Sequence, residues 1–233
     1  MLRIEDLEVT MDGLDLTGDL VLQERARVAV LGPSGAGKST LLDVIAGFRQ
    51  ADGVLRWKCD VLADRPEDRP ISILFQDGNL FPHMTIARNL ALALRPDGRR
   101  LSPAQNEQVE QALARVGLAG MGPRKPGTLS GGQQSRAALA RVLLQARPII
   151  LLDEPFSALG PALKQEMLAL VQEVADELGA LVMMVTHAPE DARRFAQSVV
   201  LVANGQVHEP VETEAFFKTP PEAFRDYIGQ TTD

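Results

Sequence analysis

An apolar run at 27–31 is followed at once by Gly32, Pro33, Ser34, Gly35, Ala36, Gly37, Lys38, Ser39 and Thr40, and then by an apolar helical stretch from about Leu41. This G-x-x-x-x-G-K-[ST] pattern leaves the fold little freedom, because it works only where a strand ends and a helix begins. Its glycines let consecutive backbone N–H groups point inward, and the helix N-terminus adds positive potential. Lys38 then reaches the outer phosphates of a bound nucleotide, and Ser39 offers its hydroxyl to Mg²⁺. Taken alone, the loop specifies nucleotide phosphates and a parallel sheet that binds its ligand beyond the carboxyl ends of its strands.

Two further short apolar runs, at 149–152 and 181–185, read as buried strands. The first runs into Asp153, Glu154 and Pro155. Successive strand residues point to opposite sides, which predicts separate tasks for the two acids. Asp153 is placed to hold Mg²⁺, and Glu154 to polarise the attacking water as general base. Leu163, Met167, Leu170, Val171, Val174 and Leu178 recur at helical spacing, predicting a helix over 161–178 that Pro161 opens and Gly179 closes. From about Phe81 to Gln145 the texture changes to helical patterns at 85–94, 103–116 and 131–144, with no convincing strand. A helical insertion in an α/β core is expected, with a short loop at 123–127.

Within that insertion lie Leu129, Ser130, Gly131, Gly132 and Gln133. They spell a second small anion site: a serine at a helix N-cap and two glycines that let a phosphate approach backbone N–H groups. One nucleotide has no evident need of two phosphate sites in one chain. The economical explanation is that this segment meets the nucleotide held by a second copy.

Composition narrows the partners. With 31 acidic against 24 basic residues and a net charge of -7, the chain lacks the basic balance of a nucleic-acid binder, and no nucleic-acid partner is expected. The single cysteine, Cys59, allows no intrachain disulfide, suits a reducing compartment and reads as a small strand residue. The first ten residues alternate charged and apolar types, so no secretory signal is expected. The longest apolar stretches fall far short of the roughly 18 residues needed to cross a bilayer. Any membrane part of the function is expected in another chain.

Together these residues resemble the ATPases of ABC transporters, in that family's order and over essentially the whole chain. The resemblance implies an α/β fold: a P-loop NTPase core with a mainly parallel sheet, an antiparallel β-subdomain and an inserted helical subdomain. Residues 1–77 and 146–233 would form the core and 78–145 the helical part. It implies ATP and Mg²⁺ as cofactors, Gln76 touching Mg²⁺ and the water while sensing a membrane partner, and His187 contacting the γ-phosphate and positioning Glu154. Thr186 and His187 close a strand that follows the carboxylate strand, which supports this role, whereas His83 and His208 have no such support. Two chains would sandwich two ATP molecules head to tail, Lys38 of one facing Ser130 of the other. A transmembrane permease, and indirectly a solute-binding protein, would complete the assembly at the cytoplasmic face of the membrane.

A finer resemblance, in 32–48, 69–90 and 155–170, points to bacterial importers and among them to those for thiamine, with another small-solute importer as the alternative. The chain's shortness agrees, since many sugar and polyamine importer ATPases carry an additional C-terminal β-domain. Soluble ABC ATPases of translation or repair usually have two nucleotide domains or a long coiled coil, and neither is visible. The segment 79–84 is apolar for a loop and suits a groove for a membrane partner's helix. Three departures from the family pattern stand out. No aromatic occurs near Met11 to stack on adenine, Gly160 replaces the usual aspartate that ends the cross-dimer loop 157–160, and Gln134 and Ser135 stand where a basic residue is more usual.

Overall fold

The computed structural model describes residues 1–11, 13–76, 80–157 and 159–229, with the side chains of Met11, Leu14 and 226–229 left out. Asp12, Asn79 and Ala158, which enter three of the readings above, lie outside the described residues, as does the side chain of Met11.

The strands are β1 (Leu2–Met11), β2 (Leu14–Leu22), β3 (Arg27–Leu31), β4 (Asp52–Trp57), β5 (Asp60–Val61), β6 (Ile71–Leu74), β7 (Ile149–Asp153), β8 (Leu181–Val185), β9 (Ser198–Ala203), β10 (Gln206–Val207) and β11 (Val211–Glu212). The helices are α1 (Lys38–Ala46), α2 (Ile86–Leu94), α3 (Pro103–Arg115), α4 (Gly131–Leu144), α5 (Pro161–Leu178), α6 (Pro189–Phe195), α7 (Thr213–Lys218) and α8 (Glu222–Gly229). One sheet runs β5-β4-β1-β2-β10-β9-β3-β8-β7-β6, with β11 paired to β9. Its β9-β3-β8-β7-β6 half is parallel, and the β5-β4-β1-β2 end is antiparallel.

The parallel half is covered on both faces, which is why its strands read as continuous apolar runs rather than alternating ones. All five residues of β7 and of β8 are buried. Alternation still sorts them: Ile149 and Leu151 pack with Leu41 and Ile45 of α1, whereas Ile150 and Leu152 face the cluster built by α2 to α5. The helical insertion therefore sits on one face of the sheet and the phosphate-loop helix on the other.

In the antiparallel end, Leu2, Ile4, Leu7 and Val9 all point into the core although the step from Ile4 to Leu7 is odd. A β-bulge between those two residues, with Asp6 at φ 53°, restores the inward phase. Gly53 on β4 makes room for it, since a Cβ there would come within 2.5 Å of the carbonyl oxygens of Glu5 and Asp6.

The helices predicted over 85–94, 103–116, 131–144 and 161–178 form within a residue at each end, and Thr85, Ser102 and Ser130 cap three of them with their side chains. The loop expected at 123–127 runs into a single 3₁₀ turn over Pro126–Thr128. Cys59 corrects an expectation: it is exposed, in the tight connection between β4 and β5 rather than in a strand. Its neighbour Lys58 takes a left-handed φ of 58°, as a two-residue hairpin connection requires. Among the described residues no helix is long and apolar enough to cross a membrane.

Candidate functional site

The phosphate loop leaves β3 at Gly32, whose φ is 152°. A Cβ at that position would lie 1.9 Å from the carbonyl oxygen of Val202 on β9, so only glycine lets the chain turn off the sheet there. Gly37, at φ 99°, is the N-cap of α1 and supplies no side-chain cap. Gly37 thus offers the start of α1 no capping oxygen, which leaves that helix end suited to anionic oxygens. Lys38 opens the helix and is only 5% exposed. Its ammonium donates to the carbonyl oxygens of Gly32 at 2.8 Å and Pro33 at 2.7 Å, which pins it across the loop. Burial holds its pKa below the usual lysine value, against the opposing charges of Glu154 and Asp153.

Asp153 ends β7 at 9% exposure. Burial raises its pKa, while a hydrogen bond from the Ser39 side chain works the other way. Its Oδ1 is buried without a hydrogen-bond partner among the described residues. A hydroxyl and a carboxylate oxygen side by side, one lone pair set unused, form the hard-oxygen donor set that Mg²⁺ prefers, so the residues fit that ion. Among the described residues no group of three or more His, Cys, Asp or Glu could hold a metal.

Glu154 is not part of β7. Its φ of 45° turns the chain left-handed just after Asp153, at a cost of about 1–2 kcal/mol for a residue with a Cβ. The Glu154 N–H donates to the Val185 carbonyl at 3.1 Å, which holds the turn against the end of β8. The two acids diverge because of this backbone turn, rather than through strand alternation. The Glu154 Oε1 lies 2.6 Å from His187 Nε2. One cavity of about 320 Å³ gathers Ser34, Gly35, Gly37, Lys38, Ser39, Thr40, Glu154 and His187.

Of the predicted site residues, Gly32, Pro33, Ala36, Asp153, Gln76 and the segment 130–133 are not among those lining that cavity. Gln76 is exposed, two residues beyond β6. Ser130 caps α4 in a reciprocal box with Gln133, the hydroxyl accepting from the Gln133 N–H at 3.3 Å and the Gln133 side chain accepting from the Ser130 N–H at 3.0 Å. Gly131 next to it has nothing within 4 Å of where a Cβ would be. With Gly132 and Gln133, these residues lie outside the set that lines that cavity. Beside them Gln134 donates to the Leu129 carbonyl at 3.1 Å and Ser135 to that of Gly131 at 3.1 Å, so the two departures from the family pattern serve the helix itself. No sequence pattern singles out Lys164 and Asp191, which are 27 residues apart, bond to each other and line one cavity with His187.

Gly160 is the N-cap of α5 in extended backbone, without a side-chain cap and with nothing within 4 Å of a Cβ position. An aspartate fits there and would accept from the first-turn N–H groups. Gly160→Asp is expected to stabilise the fold by about 0.5 kcal/mol, and to raise basal ATPase activity or tighten the ATP-bound dimer. Thermal denaturation, steady-state hydrolysis and dimer affinity check this; parental values in all three would make Gly160 neutral.

Residues 17–157, which span the phosphate loop, the Ser130 segment and both carboxylates, match the ABC transporter family. Over 231 residues the chain is 54% identical to the thiamine import ATP-binding protein ThiQ of Ruegeria sp. (strain TM1040), covering 98% of this chain and 100% of that one. The same identity and coverage hold, again over 231 residues, for the thiamine import ATP-binding protein ThiQ of Cereibacter sphaeroides: 54%, 98% and 100%. Among solved structures, a dimeric post-hydrolysis state of the ATP-binding cassette MJ0796 bound to ADP and Pi is similar with a TM-score of 0.81 at 28% identity, over 91% of this chain and 99% of the other. A phosphate loop, a carboxylate strand and a helical insertion on one sheet agree with these matches, and the chain belongs to the ABC transporter family of ATP-binding proteins.

Proposed function

We propose that this chain hydrolyses ATP to energise an importer for thiamine or a thiamine phosphate. The observation that carries the reading is the single cavity where Lys38, Glu154 and His187 converge, in a chain 54% identical over 231 residues to a thiamine import ATP-binding protein. In this reading the loop from Gly32 through Pro33, Ser34, Gly35, Ala36 and Gly37 to Thr40 binds the phosphates through its backbone N–H groups, and Lys38 holds the outer ones by charge. Glu154 takes the proton of the attacking water, and His187 orients Glu154 and reaches the γ-phosphate. Ser39, Asp153 and Gln76 would hold Mg²⁺, which offsets phosphate charge when bound.

Ser130, Gly131, Gly132 and Gln133 then serve the nucleotide of a second copy, since they lie outside the cavity of their own chain. Residues 1–77 with 146–233 act as the nucleotide-binding core, and 78–145 as the helical subdomain that faces the partner. The permease docks beside Phe81, which is exposed while its backbone is fastened to the buried Asn89 by bonds of 2.7 and 3.1 Å. An apolar side chain on so firmly held a loop suits a membrane partner's helix. The assembly sits at the cytoplasmic face of the membrane and receives its solute through a binding protein. Copurification from native membranes tests this: a permease whose thiamine transport needs this chain is expected, and a complex without any membrane protein overturns it.

The base is held weakly. No aromatic residue precedes Phe48 in the sequence, and Trp57, which pairs with Leu2 of the first strand, is buried in the core, so stacking usually worth about 1–3 kcal/mol is missing. GTP is expected to support hydrolysis within about tenfold of ATP, and Met11→Tyr to tighten ATP by about 1 kcal/mol. Parallel steady-state assays decide it; a preference for ATP well over about a hundredfold would assign base recognition to another residue.

A further inference from the structure

The loop 157–160 and the turn that carries His187 are tied together by side chains that none of the roles above uses. Lys164 stands in the first turn of α5, its N–H donating to the Gly160 carbonyl at 2.9 Å. Its ammonium lies 3.0 Å from Asp191 Oδ2 on α6, and that same oxygen accepts from the Thr186 hydroxyl at 3.3 Å. The Thr186 oxygen in turn accepts from the Ala188 N–H at 3.1 Å, so the backbone on both sides of His187 is clamped. From His187 the contacts run to Glu154 at 2.6 Å. They return to the loop through the Ser157 hydroxyl, which donates to the Glu154 carbonyl at 3.2 Å. The ring closes around a cavity of about 250 Å³.

Lys164 and Asp191 are 24% and 15% exposed, so the pair is partly desolvated, unlike the chain's surface ion pairs. A pair in such a place adds little to stability compared with apolar packing, but it fixes one geometry. His187 needs a fixed geometry: it sits on a turn, and its imidazole must meet a carboxylate that itself rests on a strained residue. A misplacement of about 1 Å at a reacting centre can cost on the order of 10²-fold in rate.

We propose that Lys164 and Asp191 are positioning residues that hold His187 against Glu154 and link that contact to the loop 157–160, where the second copy is expected to bear. The inference rests on the roles given above to Glu154 and His187. Held in this way, the imidazole keeps its place beside Glu154 through contacts that reach from the first turn of α5 to the turn after β8.

Steady-state hydrolysis by the full-length chain tests the link. Lys164→Met keeps the stem and removes the charge. It is expected to lower kcat by about 10- to 100-fold with KM for ATP unchanged within about threefold, and Lys164→Arg to restore most of the loss. Asp191→Asn, which keeps its shape, should reproduce the kcat defect. In a His187→Ala background Lys164→Met should cost nothing further, because its effect passes through the imidazole. A parental kcat for both Lys164→Met and Asp191→Asn beside a slow His187→Ala overturns the inference and leaves the site reading intact. Losses that add fully in the double variant overturn it as well. A parental kcat for His187→Ala overturns the site reading, and this inference with it.

Discussion

Glu154→Gln binds ATP as the parent does and turns over at least about 10²-fold more slowly. The amide keeps the length and shape of the carboxylate, so the left-handed turn at φ 45° and the contact with His187 lose little. What disappears is the ability to take a proton from water. Lys38 also keeps the Asp153 charge nearby, one of the two acids that oppose its burial, so phosphate binding persists. ATP that binds and does not react should hold two copies together, and size-exclusion chromatography with Mg²⁺ and ATP should find the variant as a dimer. A variant that hydrolyses ATP at the parental rate would remove Glu154 from the role of base.

Lys38→Ala weakens ATP by about 10- to 100-fold, the loss of one charge-assisted contact to phosphate. Two features set the size of the effect. The ammonium is 5% exposed, so water cannot replace it readily. Burial already depresses its pKa, so its charge is held at a cost that an anionic ligand offsets. The alanine also frees the carbonyl oxygens of Gly32 and Pro33, to which the lysine donates. Their lost partner adds a small cost to the loop itself. Calorimetric titration reads the affinity directly, and an unchanged value would sink the assignment of Lys38 to the phosphates.

Local patterns made much of this molecule legible. The helices over 85–94, 131–144 and 161–178 carry their own start signals in Thr85, Ser130 and Pro161, so their limits follow from capping as well as from periodicity. The apolar runs of β3, β7 and β8 are buried on both faces and stand out for that reason. The four-residue β6 and the two-residue β5, β10 and β11 are too short to show a period, and pairing rather than propensity makes them strands. Cys59 reads as a small strand residue, yet the hairpin turn falls on Lys58 and Cys59 themselves.

The sequence by itself determined the phosphate loop, the adjacent carboxylates and the helical insertion, because each is encoded within a few consecutive residues whose backbone demands are local. Gly32 belongs to that set only in part: the need for glycine is visible in the motif, while its cause, the Val202 carbonyl 1.9 Å from a would-be Cβ, comes from a strand far along the chain. Tertiary structure alone decided how the two acids part, since a left-handed turn at Glu154 is imposed by its bond to Val185 and not by any residue preference of glutamate. It alone decided that the Ser130 segment stays outside the cavity of its own chain. It also decided that Lys164 meets Asp191 beside the cavity that His187 lines, through the packing of α5 and α6. Contacts between side chains distant in sequence depend on how the layers stack, and no local pattern carries that information.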